Sequence, residues 1–325
     1  MLDTGDLINK FQNINESKTL ENENINLFTL DVEKLYPSIQ PALALQAIHE
    51  TLAADKTTDD KTKTAIKEFI ELSFKHSYVS YQNECYKSKV GIPTGGSLLR
   101  QIADIFLHWI LFIKMTPKLD TIQAIRFWQR FIDDCIGIWR GTKRSFDKFI
   151  SSLNAETSKY GINFPINGVQ FGKSVNIMDL CAYLEEDNTI QYRGCTKHTD
   201  AKRYLNPKSF HPKQVFDSIP FSQMLRTLRN NSKEETRSAD LTQCITNLEN
   251  SGYKTEKLNT IKESALVRSR NNEATADEEV DTLVFPVHYF NGLSDFKSLI
   301  RSLRNECWQP GNAVQLGMAL CEINN

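Results

Sequence analysis

The stretch Arg130-Phe131-Ile132-Asp133-Asp134-Cys135-Ile136-Gly137-Ile138-Trp139 places two adjacent carboxylates between two apolar runs. Residues with strand preference lie on both sides of the acidic pair, which predicts two short strands that fold back at Asp133 and Asp134. Two neighbouring negative charges repel each other, and a divalent cation with oxygen ligands would remove that repulsion. An isolated Asp-Asp pair is more typical of a solvated turn, so the interpretation depends on the rest of the chain.

A third carboxylate ends an apolar strand upstream. The run Leu27-Phe28-Thr29-Leu30 leads directly into Asp31. If this strand lies beside the hairpin, Asp31 and Asp133 could bridge two metal ions, with Asp134 as a weaker or second partner. Two ions about 3.5–4 Å apart clamp the attacking and leaving oxygens of a phosphoryl transfer. Taken alone, Asp31 is more typical of a strand end or a helix cap.

Two further features fit a nucleotide site. The ring of Tyr36 could pack under the sugar of an incoming nucleotide and exclude a 2′-hydroxyl, although a core tyrosine is an equal alternative. The segment Gly91–Leu107 begins as a Gly/Pro loop and continues as an apolar-periodic helix. Gly95 and Gly96 let the backbone approach a ligand closely. A Walker loop is excluded because no Gly-Lys-Ser/Thr follows at the required spacing.

In this order, the blocks Asp31–Ile39, Gly91–Leu107 and Arg130–Trp139 resemble the A, B and C motifs of reverse transcriptases. Further downstream elements point to one particular group of reverse transcriptases. These elements are Asn176-Ile177-Met178-Asp179, Tyr192–Asp200, Tyr204-Leu205, Ser209-Phe210-His211-Pro212, Ser218–Gln223 and Leu225–Arg229. The succession is similar to the reverse transcriptases of Penelope-like retroelements, which are relatives of telomerase. The resemblance covers about residues 25 to 305.

The resemblance implies an α+β fold: a right-hand polymerase palm, made of an antiparallel sheet backed by helices, followed by a mostly helical thumb. It implies an RNA-directed DNA polymerase that uses an RNA template, a DNA primer and dNTPs. Asp31, Asp133 and Asp134 would be the catalytic ligands of two Mg²⁺ ions, for which Mn²⁺ could substitute. The nucleotide and template pocket would be formed by Tyr36, Gly95, Gly96 and Gln101.

Several departures from the family pattern leave alternatives open. His198 stands where the family has proline, Met178 where it has leucine or phenylalanine, and Leu99 where a small polar residue is commoner. Only about thirty residues precede Asp31, so we expect the fingers to be incomplete. A catalytically inactive, nucleic-acid-binding remnant of a retroelement is therefore an alternative. A two-metal nuclease on another fold would explain the acids but not the glycine loop.

The charge pattern favours a nucleic-acid partner locally rather than globally. The net charge of the 325 residues is −1, which argues against an electrostatic grip by the whole surface. Between residues 193 and 229, however, the sequence has eight Lys or Arg residues and only two acids, and aromatic residues are interleaved among them. A solvated basic face is the alternative. The predicted nucleic-acid contacts are Arg193, Lys197, Arg203, Arg226 and Arg229.

The cysteine content and the hydropathy of the sequence indicate the cellular environment in which the protein is expected. Seven cysteines without a Cys-x-x-Cys pair argue against zinc and favour reduced thiols. Residues 1–11 have no apolar signal core, and the apolar run Ile102–Met115 is too short to cross a bilayer. We therefore expect an intracellular protein, nuclear or cytoplasmic, without a membrane partner. The sequence indicates no oligomeric state.

The pattern of elements predicts three parts: a polar segment (1–24), a palm with partial fingers (25–200), and a helical thumb with a C-terminal segment (201–325). Strands are expected over 25–32, 78–81, 85–90, 126–139 as a hairpin, 171–177, 180–185 and 189–194. Helices are expected over 41–54, 61–75, 98–115, 145–160, 220–229, 237–248, 256–270 and 295–305.

Overall fold

The computed structural model describes residues 3–21, 23–87, 90–92, 98–115, 122–195, 202–271, 282–288 and 315–321. The helices in these ranges are α1 (Thr4–Ser17), α2 (Leu35–Ser38), α3 (Pro41–Ala54), α4 (Asp60–Lys75), α5 (Leu99–His108), α6 (Lys143–Thr157), α7 (Lys213–Arg229), α8 (Glu234–Asn250) and α9 (Thr255–Asn271). The strands are β1 (Ile25–Leu30), β2 (Tyr78–Tyr81), β3 (Glu84–Lys87), β4 (Ile125–Phe131), β5 (Asp134–Arg140), β6 (Gln170–Gly172), β7 (Ser174–Ile177), β8 (Leu180–Leu184), β9 (Ile190–Gly194), β10 (Thr282–His288) and β11 (Gln315–Cys321).

The central sheet is antiparallel, with the strand order β4-β5-β1-β6. Side chains alternate between its two faces, and both faces are covered. Phe28 and Trp139 face one hydrophobic core, whereas Leu27 and Ile138 face another. Phe28 lies opposite Gly137, and a Cβ at that glycine would lie 2.2 Å from the Phe28 ring. The glycine therefore makes room for the aromatic side chain on the next strand.

Helices α3, α5 and α6 cover the first face. Their apolar side chains surround a cluster of aromatic rings, in which the Trp139 and Phe149 centroids are 5.1 Å apart and those of Phe28 and Phe146 are 5.2 Å apart. The predicted helix over 98–115 is present, but its second half, Trp109–Met115, winds as a π-helix. A sheet backed by helices confirms the predicted α+β class.

The second face is covered by α1 and by a small antiparallel sheet of β7, β8 and β9. Asp3 caps α1 by accepting a hydrogen bond from the Asp6 backbone N–H at 2.8 Å, and Leu7 and Phe11 of this helix are fully buried. The predicted strand over 171–177 is divided between the two sheets, because β6 pairs with β1 and β7 pairs with β8. The polar N-terminal segment thus contributes an amphipathic helix to the core.

Helices α7, α8 and α9 share a third core. The sequence predicts that α7 begins at Pro220, but the helix begins at Lys213 and continues through the proline. Proline lacks an N–H and normally disrupts a helix interior. Here Phe216, Pro220, Met224 and Leu228 recur every four residues and are all buried. Burial of this stripe therefore outweighs the local preference.

Two compact units are found, Met1–Ser269 and Arg270–Asn325. In the second unit, β10 and β11 form a parallel pair in which Thr282 lies opposite Gln315. The predicted helix over 295–305 lies outside the described residues. The predicted boundary near residue 200 falls within 196–201, which are also not described, so this division stays a prediction. None of the helices in the described ranges combines the length and hydropathy needed to cross a membrane.

Candidate functional site

The acidic pair lies at the turn between β4 and β5. Phe131 is paired with Asp134, so Ile132 and Asp133 form the turn and Asp134 opens β5. Ile132 has a φ of 54°, in the left-handed region that a β-branched residue rarely adopts. A positive φ at the first turn position matches the twist of a tight hairpin. The chain therefore stores local backbone strain beside the acidic pair, as functional sites often do.

Strand β1 delivers Asp31 to this hairpin. Leu30 lies opposite Cys135, and continuing the antiparallel register by one residue places Asp31 opposite Asp134. Opposed side chains in such a pair lie on the same face of the sheet, with Cβ atoms about 5 Å apart. Asp31 is exposed, whereas Asp133 and Asp134 are half-buried. The fold thus brings the upstream carboxylate to the same end of the sheet as the acidic pair.

The donor chemistry of these carboxylates fits a hard divalent cation. In the described ranges, no group of three or more His, Cys, Asp or Glu side chains is arranged to hold a metal ion. Mg²⁺, however, is commonly held by one or two carboxylates, with water and substrate phosphates completing its shell. Asp31, directly after β1, and Asp134, the first residue of β5, are carboxylates that could supply such oxygen donors. The metal role of Asp31, Asp133 and Asp134, and the ranking of Asp134 as the weaker ligand, stay predictions.

A buried arginine supports the acidic turn. Arg130 Nη1 donates hydrogen bonds to Asp104 Oδ1 at 2.7 Å and to the Ile132 carbonyl at 2.6 Å, and Nη2 donates to the Asp104 carbonyl at 2.9 Å. The side chain of Arg130 is only 6% exposed. Asp104 belongs to α5, so this arginine joins the turn to the helix that follows the glycine loop. No distinctive sequence signal marks this pair, because β4 also carries Arg126 and α5 also carries Arg100.

A second arginine lies close to the turn. The guanidinium of Arg100, on α5, lies 5.5 Å from the centroid of the Phe131 ring, in cation–π range. Arg100 was not among the predicted site residues. The adjacent Gln101, which was predicted, is exposed on the same helix. The acidic end of the sheet therefore has a cation, Arg100, on α5 beside it.

Tyr36 lies in the short helix α2 and is half-buried against the main core. Its carbonyl accepts a hydrogen bond from the Ile92 N–H at 3.0 Å, which joins α2 to the start of the glycine loop. Gly91 has a φ of 74°, and a Cβ there would lie 2.5 Å from the Pro37 carbonyl oxygen. Two of the predicted blocks therefore meet at a position that only glycine fits. Gly95 and Gly96 lie outside the described residues.

One predicted thumb residue, Arg226, is held by an aspartate. Arg226 Nε and Asn230 Nδ2 each donate to Asp179 Oδ2 at 2.7 Å, and Thr4 Oγ1 donates to Asp179 Oδ1 at 2.7 Å. Burial of Asp179 opposes its ionisation, but these hydrogen bonds and the Arg226 charge lower its pKa below the ordinary value. The carboxylate thereby ties the β7–β8 turn to both α7 and α1.

The other predicted nucleic-acid contacts lie on the surface. Arg193, Arg203 and Arg229 are exposed, on β9, on the loop before α7, and at the end of α7. Lys197 lies outside the described residues. Their role stays a prediction.

Comparison with known families gives one partial match. A model described as an animal helix-turn-helix domain matches residues 203–263, which include α7, α8 and the first half of α9. No curated protein matches the chain.

Solved polymerase structures share the fold. Telomerase from Candida albicans, in complex with a TWJ fragment of telomeric RNA, gives a TM-score of 0.56 at 10% identity, over 85% of this chain and 49% of that one. Telomerase from Candida tropicalis, in complex with such a fragment, gives a TM-score of 0.50 at 14% identity, over 86% of this chain and 52% of that one. The RNA-dependent RNA polymerase of a human picobirnavirus gives 0.52 at 11% identity, over 84% and 50%.

The chain spans about half the length of these structures. At such low sequence identity, the similarity shows a shared fold and nothing more specific. The mixed α+β chain, with its antiparallel sheet and helices, has the fold of nucleic-acid polymerases.

Proposed function

We propose that this chain is the palm and thumb portion of an RNA-directed DNA polymerase from a Penelope-like retroelement. The observation that carries the proposal is the register of β1 and β5, whose continuation by one residue sets Asp31 opposite Asp134, beside a strained turn in a polymerase-like fold. The order of the three sequence blocks supports reverse transcription. The TWJ RNA in the matching telomerase structures supports RNA as a partner.

In the proposed reaction, the 3′-hydroxyl oxygen of a DNA primer forms a bond to the α-phosphorus of a dNTP. The bond between that phosphorus and the oxygen it shares with the β-phosphorus breaks, so that pyrophosphate leaves. The hydroxyl proton passes to solvent. Two divalent ions in such a site lower the pKa of the hydroxyl and neutralise the leaving pyrophosphate. Asp31, Asp133 and Asp134 would hold Mg²⁺, or Mn²⁺ in its place.

Other residues of this chain would position the reactants. Arg130 holds the acidic turn against α5, and the Tyr36 ring would lie under the sugar and disfavour a 2′-hydroxyl. The RNA template and the growing duplex would lie along the basic thumb stretch, where Arg203 and Arg229 are exposed. Arg226 would contribute charge there, although Asp179 already holds it.

Primer extension on an RNA template, with dNTPs and Mg²⁺, tests the proposal. We expect Asp133→Asn to abolish extension while circular dichroism and the unfolding midpoint stay close to those of the wild type. Asp147→Asn is the matched control, because this acid lies on α6 and pairs with Lys143 on the same helix. Extension by Asp133→Asn at the wild-type rate would contradict the metal role.

A catalytically inactive, nucleic-acid-binding remnant is the second candidate. It is favoured by the lack of a three-ligand metal cluster among the described side chains. The same assay separates the candidates: the remnant would bind primer–template without extending it, and a nuclease would degrade it.

A further inference from the structure

Phe210 is the most exposed of the large apolar side chains in the described part of the chain, at 97%. It lies in the loop before α7. Burying a phenylalanine side chain normally stabilises a protein, but the exposed Phe210 does not contribute this stabilisation to the fold. A partner that stacks on the ring would recover that gain.

The loop that presents Phe210 is held in one conformation. Asn206 Oδ1 accepts a hydrogen bond from the Lys208 N–H at 2.8 Å, and the Asn206 carbonyl accepts from the Ser209 N–H at 2.9 Å and from Ser209 Oγ at 2.6 Å. The His211 N–H donates to the Ser209 carbonyl at 3.0 Å. These bonds fix the backbone on both sides of Phe210, so the ring is presented at low entropic cost.

The loop is also anchored to the helices behind it. The Tyr204 N–H donates to Ser251 Oγ at 3.0 Å, beyond the end of α8. The His211 ring packs edge-on against Phe216, with centroids 6.1 Å apart. Phe210 is therefore the outward tip of a rigid platform.

The charged residues of the loop itself have one sign, and the first acid after it is Asp217, on α7. Residues 202–216 contain four cations, Lys202, Arg203, Lys208 and Lys213, and no acid. Arg203, Lys208 and Lys213 are exposed, and no salt bridge to them is found within the described ranges. An aromatic face flanked by exposed cations is the arrangement that binds single-stranded nucleic acid, because bases stack while phosphates are neutralised.

A protein or membrane partner fits this surface less well. Phe210 is the sole exposed large apolar side chain between residues 202 and 216, and its neighbours Ser209 and His211 are polar. A stable protein interface needs a far larger contiguous area, and an interfacial helix needs an apolar face.

We infer that the Arg203–Lys213 loop is a stacking platform for an unpaired nucleotide, with Phe210 under the base and Lys208 and Lys213 on the adjacent phosphates. This inference rests on the nucleic-acid partner of the proposed function but not on catalysis. It is therefore tested by binding without dNTPs.

The experiment measures the affinity of a single-stranded oligonucleotide containing 2-aminopurine, by anisotropy and by quenching. Phe210→Ala should weaken binding about tenfold, within the range measured for loss of one base–aromatic stack. It should also reduce the quenching of 2-aminopurine. Phe210→Trp should keep both affinity and quenching. Val267→Ala, which truncates an exposed apolar side chain of α9, is the matched control and should bind like the wild type.

Salt dependence separates stacking from phosphate contact. The double variant Lys208→Gln/Lys213→Gln should reduce the slope of log affinity against log salt by about 1.4, since each phosphate contact contributes about 0.7 for single strands. Phe210→Ala should leave that slope unchanged. Wild-type affinity and quenching in Phe210→Ala, or an equal loss of affinity for a blunt duplex, would overturn the inference.

The two proposals can fail separately. Binding that depends on Phe210, without primer extension by the wild type, refutes the catalytic function and leaves the platform standing. Extension by the wild type, with no effect of Phe210→Ala on affinity, refutes the platform alone. A wild-type chain that binds no oligonucleotide refutes both.

Discussion

Arg130 donates a hydrogen bond to the carbonyl oxygen of Ile132 at 2.6 Å, and Ile132 is the residue whose φ of 54° opens the acidic turn. Because the same guanidinium also binds Asp104 of α5, the turn cannot relax without disturbing the ion pair between the buried Arg130 and the exposed Asp104. We infer that this contact keeps the acidic pair in place at the cost of backbone strain.

Replacing Arg130 by methionine tests this role. Arg130→Met keeps a long side chain but removes the charge and three hydrogen bonds, so we expect the free energy of unfolding to fall by roughly 2–4 kcal/mol. We also expect the rate of primer extension per folded molecule to fall at least tenfold, with little change in the Kd for primer–template.

Arg126→Met is the control on the same strand. Arg126 makes a bidentate ion pair with Glu23, at 2.7 and 2.9 Å, away from the turn. The Arg126→Met variant should be less stable than the wild type but should extend the primer at the same rate. Equal extension rates in the two variants would show that Arg130 contributes to stability alone.

Gly91→Ala tests the junction between α2 and the glycine loop. The substitution places a Cβ 2.5 Å from the Pro37 carbonyl oxygen and forces alanine to a φ of 74°. We expect a loss of roughly 2–4 kcal/mol from the steric and conformational costs together. Gly172→Ala meets nothing within 4 Å at a φ of 152°, so it should show the conformational cost alone, about 1 kcal/mol. Urea denaturation measures both, and equal losses would exclude the backbone clash.

Much of the central sheet could be predicted because its strands are short apolar runs on either side of charged or turn residues. The helix Pro41–Ala54 and the strand Tyr78–Tyr81 have the predicted bounds. The start of α7 could not be predicted, because Pro220 signals a helix start locally whereas a stripe of buried residues continues the helix through it. Tertiary burial decides such cases, and a single segment does not reveal it.

The sequence predicts that Asp31 follows one strand and that Asp133 and Asp134 lie at the turn of a hairpin beside it, and β1 does pair with β5 of that hairpin. Both strands are buried along almost their whole length rather than at alternate residues, so the sequence pattern does not fix the register whose continuation places Asp31 opposite Asp134. The contact of Arg130 with the Ile132 carbonyl depends on a left-handed isoleucine, which local propensity argues against. The pairing of Arg226 with Asp179 joins residues far apart in sequence, and no periodic pattern indicates it.

Asp179→Asn should change how stability depends on pH. Hydrogen bonds and the Arg226 charge lower the Asp179 pKa from its ordinary value of 3.8. Its carboxylate therefore stabilises the fold above that value, and the contribution is lost as the pH falls through the lowered pKa. We expect the variant to lose roughly 1–3 kcal/mol at neutral pH, and the difference from the wild type to shrink below about pH 4.

Urea unfolding across this pH range measures the effect. Asp240→Asn is the control, because this half-buried aspartate of α8 has no hydrogen bond or ion pair within the described ranges. A difference between Asp179→Asn and the wild type that does not vary with pH would contradict the ionised, hydrogen-bonded state of Asp179.

Tyr36 offers the most direct test of sugar selection. Its half-buried ring belongs to α2, and its carbonyl is fixed by the Ile92 N–H, so a substitution of the side chain leaves the backbone contact intact. Tyr36→Ala should admit ribonucleotides, and the ratio of kcat/KM for dNTP to that for NTP should fall at least tenfold. Tyr36→Phe keeps the bulk of the ring and removes only the hydroxyl, so it should retain the wild-type ratio. Because exclusion of a 2′-hydroxyl is a steric effect in this proposal, a change in Tyr36→Phe as large as in Tyr36→Ala would assign the selectivity to the tyrosine hydroxyl instead. An unchanged ratio in both variants would remove Tyr36 from the nucleotide site.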